Sequence, residues 1–445
     1  MTAKYRYVLS LTITFFIIYW LIIFYNSDGK DLISSFINNI DDWQYYTLIY
    51  NFANFNFSPT YDPTVEYSKF LSFPVYSILY HALFFKIFNI YGFVILSFLI
   101  IFIFFFLLIS FFQKIGINIF YSALIATIIF CLGNFIDYFN FDIAYYKAIG
   151  ELYGLRIPRP SITHLYFFLF LLLLITTKSA DQFNIKKLSL IGATLALMWG
   201  SFYYNLAISA VIFLFYYTYI LISDKKLKIS TFIKNLITLG FFVILFSVPL
   251  LFILLKSEPD YLVRVGIIDL DFTKKKILIL HFLSKIIDIK FLLIFGLITI
   301  IYVYLNIHNK YEKRTINCLY FIFLSSFIAP ILFIVLAPSI SEIYHFSNSL
   351  VALSFFVLLV YSFMIINTLS GKYEIFNKYL SNFLIIFLIF VYSFTMLDDI
   401  KKRSSLNSNK HIYDFVNFFK SKNFSKNIPI LTFDGKIQTN LILNG

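Results

Sequence analysis

Charge is what this sequence lacks most. Only 13% of its 445 residues are Asp, Glu, Lys or Arg, 60% are hydrophobic, and the mean hydropathy is +0.82. Soluble domains carry about 25% charged and 45–50% apolar residues, so a water-soluble core cannot absorb this much apolar surface. Cysteine is nearly missing too. Cys131 and Cys318 lie in or at the edge of apolar spans, where a thiol behaves as a small hydrophobe, and no disulfide framework or zinc site is implied. Glycine is scarce, 14 residues beside 59 Phe and 34 Tyr, a bias that we read as the codon usage of an AT-rich genome rather than as function. No small-residue cleavage site follows the apolar run Tyr7 to Tyr25, which comes after Lys4 and Arg6. That run therefore reads as a retained first helix, not a signal peptide.

What is present is a series of long apolar runs, and a helix needs about 20 such residues to cross hydrocarbon. Beyond the first helix, crossings are expected near Tyr91 to Phe112, Ile119 to Ile136, Ser161 to Thr177, Leu188 to Tyr204, Asn205 to Ile222 and Phe232 to Leu255. Others are expected near Phe291 to Leu305, Ile316 to Leu336, Asn348 to Thr368 and Ser381 to Met396. The fold class is thus an all-α polytopic membrane protein of about eleven transmembrane helices. No Asp or Glu falls inside any of these crossings. Ion-coupled transporters keep carboxylates at membrane depth, so pumps and antiporters lose ground.

The connectors alternate in kind. Lys4 and Arg6, Lys114, Lys178 with Lys186 and Lys187, Lys225 to Lys234, Lys310 to Arg314, and Lys372 with Lys378 form short basic segments, opposed only by Asp181, Asp224, Glu312 and Glu374. The positive-inside bias places this set in the cytoplasm. Asn26 to Phe73, Asp137 to Pro160, Lys256 to Lys290, Ala337 to Ser347 and the tail are acidic or mixed and face outward. The expected location is the inner (plasma) membrane, multi-pass, with a cytoplasmic N-terminus and an extracytoplasmic C-terminus. The net charge of +13 is accounted for by loops on an anionic membrane, so membrane lipids and not nucleic acid are the expected surroundings. Phe73 to Ile90 is apolar enough to cross, yet counting it would invert every later loop. It reads as an outer-surface helix, with a twelfth crossing as the alternative. Residues 1–397 then form the membrane domain. Residues 398–445 form an extracytoplasmic tail, with helical spacing over Asn409 to Lys422 and a strand over Ile428 to Phe433, as in a small appendage or a truncated α/β domain.

Residues able to do chemistry gather in the outward loops. In the first, Asp41-Asp42-Trp43-Gln44-Tyr45 follows an amphipathic stretch. An acidic pair held against lipid suits a general base, because burial and a like-charged neighbour raise a carboxylate's pKa; helix capping and an aromatic belt explain the same residues equally well. In the second, Arg156-Ile157-Pro158-Arg159 sets two guanidinium groups at the membrane edge, suited to bidentate phosphate binding or to snorkelling into headgroups. Glu342 and His345 sit between two late spans, where the histidine is structural or contacts a sugar or phosphate. Lys256 to Lys290 reads as a substrate lid or a solvated amphipathic connector.

The order of a first helix, an outer loop with an acidic pair followed by Tyr, and the Pro-containing apolar helix Phe73-Pro74-Val75-Tyr76-Ser77-Ile78-Leu79-Tyr80 resembles the membrane glycosyltransferases of the GT-C fold. These include the protein O-mannosyltransferases and the lipid A aminoarabinose transferases. The resemblance covers about the first 180 residues and then only the helix count. The family's Asp-Glu-x-x-Tyr-like element matches Asp41, Asp42 and Tyr45, with Asp42 replacing Glu, which implies Asp41 as catalytic base. A further acid in the second outer loop is implied, for which Asp137, Asp142 and Glu151 are candidates; Asp142 or Asp137 stands nearest the expected place, without the Leu-Asp-Pro-like pattern. The resemblance thus implies an enzyme moving a sugar from a polyprenyl-phosphate donor to an acceptor on the outer face. Asp41, Asp42 and Asp142 would be catalytic, and Tyr45, Arg156, Arg159, Glu342 and His345 would bind substrate. No cofactor is identified, and a divalent metal stays open, as does the oligomeric state. The rival readings are a polysaccharide polymerase or ligase and a lipid or polysaccharide transporter.

Overall fold

The computed structural model describes residues 2–26, 44–55, 75–139, 144–155, 161–225, 228–255, 268–308, 310–340, 344–369 and 374–406. Asp41, Asp42, Asp142, Arg156, Arg159 and Glu342 lie outside the described residues, as do the expected helix and strand of the tail.

The described chain is almost wholly helical, as expected where no water can satisfy backbone N–H and C=O groups. Helices α1 (Ala3–Asn26), α2 (Gln44–Ala53), α3 (Val75–Phe88), α4 (Tyr91–Lys114) and α5 (Ile119–Tyr138) come first. Helices α6 (Ala144–Gly150), α7 (Thr163–Ile175), α8 (Ile185–Trp199), α9 (Tyr203–Ser223) and α10 (Ile229–Leu255) are next. The two-residue strand β1 (Ile268–Asp269) precedes α11 (Phe272–Ile286), α12 (Ile289–His308) and α13 (Lys313–Leu336). Strand β2 (Ser339–Ile340) pairs antiparallel with β1, and α14 (Tyr344–Leu369) and α15 (Glu374–Leu406) complete the described chain. Among the described residues, nine helices are long and apolar enough to cross a membrane: α1, α4, α5, α9, α10 and α12 to α15. The chain is a polytopic membrane protein. Two of the expected crossings are shorter than an ordinary span, since α7 has 13 residues and α8 has 15. The expected boundary at residue 397 falls within α15, which continues to Leu406.

The short basic connectors come together on one face. Arg314 donates to Asp224 Oδ1 at 2.9 Å, while the other carboxylate oxygen accepts from the Ala180 backbone N–H at 2.7 Å. Asp224 therefore ties the α7–α8 and α9–α10 connectors to the start of α13, in a pair that is mostly shielded from solvent. Lys178 meets Glu312 at 2.6 Å nearby, but both side chains are about half exposed, which limits such a pair to about 1 kcal/mol. These contacts bring the α7–α8 connector level with the connectors of the long spans, so α7 and α8 reach the basic face despite their length.

Helix ends leave carbonyls without partners, and here tyrosine and lysine side chains supply donors. Tyr216 Oη donates to Thr177 O at 2.8 Å, Tyr311 Oη to Met364 O at 2.9 Å, and Lys310 Nζ to Thr368 O at 2.8 Å. Lys275 Nζ does the same for Val335 O at 2.7 Å at the opposite end of α13. The outward side of α10 keeps Ile233, Ile237, Phe241 and Ile244 exposed, as a lipid-facing helix should.

Helix α3 lies against the other face. Its start bonds to the end of α8, Tyr76 N–H to Gly200 O at 3.2 Å, and its end turns at Asn89 directly into α4. Both ends thus sit away from the basic connectors, in keeping with a surface helix. A Cβ on Gly200 would stand 2.3 Å from the Tyr76 ring, so only glycine admits this approach. The Tyr76 hydroxyl continues to Phe246 O of α10 at 2.8 Å. On the same helix His81 is buried, Nδ1 lies 2.8 Å from Ser77 O, and Nε2 has no partner among the described residues. The Ser77 carbonyl can only accept, which places the ring proton on Nδ1 and leaves a bare lone pair at Nε2. Burial pushes the His81 pKa down to about 4, against a smaller opposing effect of the Ser77 carbonyl.

A neutral native His81 has a stability consequence. Between pH 6.5 and about 4 the unfolded chain binds a proton that the folded chain refuses, so the His81 contribution is complete above pH 6.5 and is lost as pH falls towards 4, at up to about 1.4 kcal/mol per pH unit. Melting curves of the wild type and His81→Gln in detergent should therefore converge on acidification, and a constant difference across that window would contradict a neutral buried ring.

Candidate functional site

On the face opposite the basic connectors, a cavity of about 420 Å³ opens where α5, α6, α7, α9 and α14 meet. Its walls combine Asn134 of α5, Lys147 of α6, Glu151 and Tyr153 of the following segment, Thr163 and His164 of α7, Asn205 of α9, and Tyr344, His345, Asn348 and Ser349 of α14. Two glycines ease the close approach of α5 to α6: a Cβ on Gly150 would stand 3.3 Å from the Gly133 Cα, and one on Gly133 would stand 3.2 Å from Gly150 O, tighter than an ordinary contact.

Aromatic packing fixes the floor. The Tyr153 ring stacks on Phe104 with centroids 3.9 Å apart and lies 5.9 Å from Phe130, which with Phe15 and Tyr392 joins α1, α4, α5 and α15. Offset aromatic pairs of this kind contribute about 0.5–1.5 kcal/mol beyond area burial. Yet the Tyr153 hydroxyl and the Asn205 side-chain N–H₂ are buried with no hydrogen-bond partner among the described residues. Such groups cost about 1–3 kcal/mol each. Both belong to residues of the cavity wall, but the two atoms themselves are closed off from it, so their cost falls on the fold.

The electrostatics favour an anion. Helices α7, α9 and α14 all begin at the cavity, with Thr163, Phe202 and Tyr344 in its wall. Each helix start carries about half a positive charge and unsatisfied N–H groups. Neither α7 nor α9 is capped by a side chain, whereas α8, away from the cavity, is capped by Asn184. Lys147, His164 and His345 add basic groups, and Glu151 is the one carboxylate in the described wall. It accepts a hydrogen bond from Asn348 Nδ2 at 2.7 Å. A carboxylate, two imidazoles and three amides around a volume fit for a small polar group can bind a phosphate and hold hydroxyls.

His345 belongs to this site. It stands on the first turn of α14 and not in a loop as the sequence indicated, because the helix starts at Tyr344, four residues before the expected span. Its ring packs 5.2 Å from Phe202 and 4.9 Å from Tyr204, centroid to centroid. Tyr45 lies in the first turn of α2, and its side chain is outside what is described. Of the three acids considered in the second outer loop, Glu151 lines the wall, while Asp142 and the Asp137 side chain lie outside the described residues. In the chain, the segments carrying Asp142, Arg156 and Arg159 flank residues 144–155, which border the cavity, and Glu342 stands two residues before the start of α14. Tyr153, His164, Asn205 and Asn348 were not anticipated as site residues; the available signal was polar side chains near the ends of apolar spans. Among the described residues no group of three His, Cys, Asp or Glu side chains could hold a metal ion.

Comparison with protein-family models, with curated proteins and with solved structures returns no match for this chain.

The unpartnered Tyr153 hydroxyl yields an expectation for stability. Tyr153→Phe removes a buried group without a protein partner and keeps the ring stack, so the protein should melt at the same or a higher temperature, by up to about 1–3 kcal/mol. A lower melting temperature would show that the hydroxyl serves the fold.

Proposed function

We propose that this protein is a membrane glycosyltransferase that takes a sugar from a polyprenyl-phosphate carrier on the extracytoplasmic side. In this reading the chain crosses the inner (plasma) membrane eleven times with its N-terminus in the cytoplasm. The observation that carries it is the convergence of three helix N-termini with Lys147, His164 and His345 on a polar cavity at the face opposite the basic connectors. Helix starts aimed at one point are a known way of holding an anionic group within a membrane protein. The sequence supplies the rest: Arg156 and Arg159 next to that cavity in the chain, and the acidic pair Asp41 and Asp42 in the first outer loop.

In this mechanism Asp41 takes the proton of an acceptor hydroxyl as its oxygen attacks the anomeric carbon. The bond from that carbon to the phosphate oxygen breaks, and the electron pair leaves with the polyprenyl phosphate. The helix starts, Lys147, Arg156 and Arg159 stabilise the charge that appears on the departing phosphate, which is where preorganised dipoles contribute most. Asn205, Asn348 and Glu151 hold sugar hydroxyls, and Asp42, Asp142, Tyr45 and Glu342 complete the substrate surroundings.

Orientation and chemistry are tested separately. In intact cells, Ser349→Cys should react with a membrane-impermeant thiol reagent and Lys228→Cys only after permeabilisation; the reverse pattern would invert the topology.

Transfer from a polyprenyl-phosphate sugar in membranes should fall about 10²-fold or more in Asp41→Asn, at unchanged protein level, and less in Asp42→Asn. Asparagine caps a helix about as well as aspartate, so near-normal transfer by Asp41→Asn would remove the base assignment.

A further inference from the structure

Helix α11 stands apart from the other helices of the cavity face, because three consecutive lysines, Lys274 to Lys276, occupy its first turns. Asp271 caps it, accepting from the Lys274 N–H at 2.7 Å. Its inner side is fixed: Phe282 and Ile286 are buried, and Lys275 Nζ bonds Val335 O at the end of α13. Pairing of β1 with β2 and the bond from Leu270 N–H to Pro338 O at 2.8 Å hold the preceding segment to the same end. The helix is therefore clamped at the level where α13 leaves the bundle and where α12 begins.

The rest of α11 is neither core nor ordinary solvated surface. Phe272, Ile277 and Leu280 are 85%, 59% and 55% exposed, and at 100° per residue they fall within one arc of about 140°. Lys276 lies inside that arc, and His281 and Lys274 lie about 40° and 60° beyond one side of it. Among the described residues the acids at the ends of the helix are Asp269 of β1, Asp271, which is 3.8 Å from Lys274, and Asp288, fewer than the lysines beside them. Exposed apolar side chains edged by lysines at the rim of a transmembrane bundle have the form of a helix lying in the plane of the interface.

We propose that α11 is an anionic-lipid binding element: Phe272, Ile277 and Leu280 enter the headgroup boundary of the leaflet, and Lys274 and Lys276 bind phospholipid phosphates. Charge complementarity selects this occupant, since cations beside a bilayer gain from anionic headgroups what zwitterionic ones do not offer. Through the β1–β2 pair the same helix is joined to the strand that precedes α14 in the chain. The inference rests on the membrane-spanning architecture and not on the transferase reading. Its assay contains no sugar donor, so either can fail alone.

The test uses the full-length protein in detergent micelles, titrated with phosphatidylglycerol or phosphatidylcholine and read by native mass spectrometry. The wild type should retain phosphatidylglycerol preferentially, inorganic phosphate should not compete, and K274Q/K276Q should bind phosphatidylglycerol about tenfold or more weakly with phosphatidylcholine retention unchanged. In phosphatidylglycerol vesicles, an environment-sensitive dye on Leu280→Cys should be quenched by lipids spin-labelled near the headgroup; Cys131 and Cys318 are buried and do not compete for label. Equal phosphatidylglycerol binding by K274Q/K276Q would overturn the proposal. So would quenching of the dye by aqueous iodide alone, or its shielding from both quenchers, which would put a second copy of the chain on this face.

Discussion

Hydrocarbon offers no hydrogen bonds, and the rest of this structure depends on how the chain answers that. Backbone groups inside a helix satisfy one another, but each helix end exposes carbonyls that water would otherwise bind. At the ends of α7, α13 and α14 these are met by Tyr216, Tyr311, Lys310 and Lys275 reaching across from neighbouring elements. Each such bond satisfies one helix and fixes its distance to another. The many tyrosines, which composition alone assigns to codon usage, therefore have a structural role that no count could show.

The same constraint explains where the cavity is. Charged and amide groups are costly at membrane depth unless paired or facing water, and here they collect at the ends of α5, α7, α9 and α14, on the face away from the basic connectors. The aromatic stack beneath, from Phe15 through Phe130 and Phe104 to Tyr153, needs no polar partners and so closes the cavity floor tightly. The exception is the Tyr153 hydroxyl itself.

The helices were legible because apolar runs of this length have few alternatives. Each expected span overlaps a helix, nine of them long and apolar enough to cross a membrane, and three of the basic segments that fixed their alternation are joined by Asp224, Arg314, Lys178 and Glu312. The cavity was much less legible. Attention to carboxylates led to the outer loops, whereas Asn134, Asn205 and Asn348, uncharged and within or beside apolar spans, carry no signal until three helix ends bring them together. His345, expected from the sequence to bind substrate, lines the cavity, but its place on α14 was not legible, because four residues of helix precede the hydrophobic stretch. Helix α11 was readable in principle from the Asp271 cap and the apolar spacing Leu278, Phe282, Ile286. Its lysine run concealed that pattern within a segment that also suited a lid.

One step joins these observations. A helix dipole acts only near its end, so three helix starts can favour an anion at one point only if their positions are fixed relative to one another. Here α9 and α14 are fixed by packing of Phe202 and Tyr204 against His345 and Phe346, and α7 is held at its far end by Tyr216. The donors that satisfy carbonyls at the basic face thus also set the geometry of the N-termini at the other. A substitution there would change the cavity without touching it, and the backbone demands of hydrocarbon and the electrostatics of the site become one requirement.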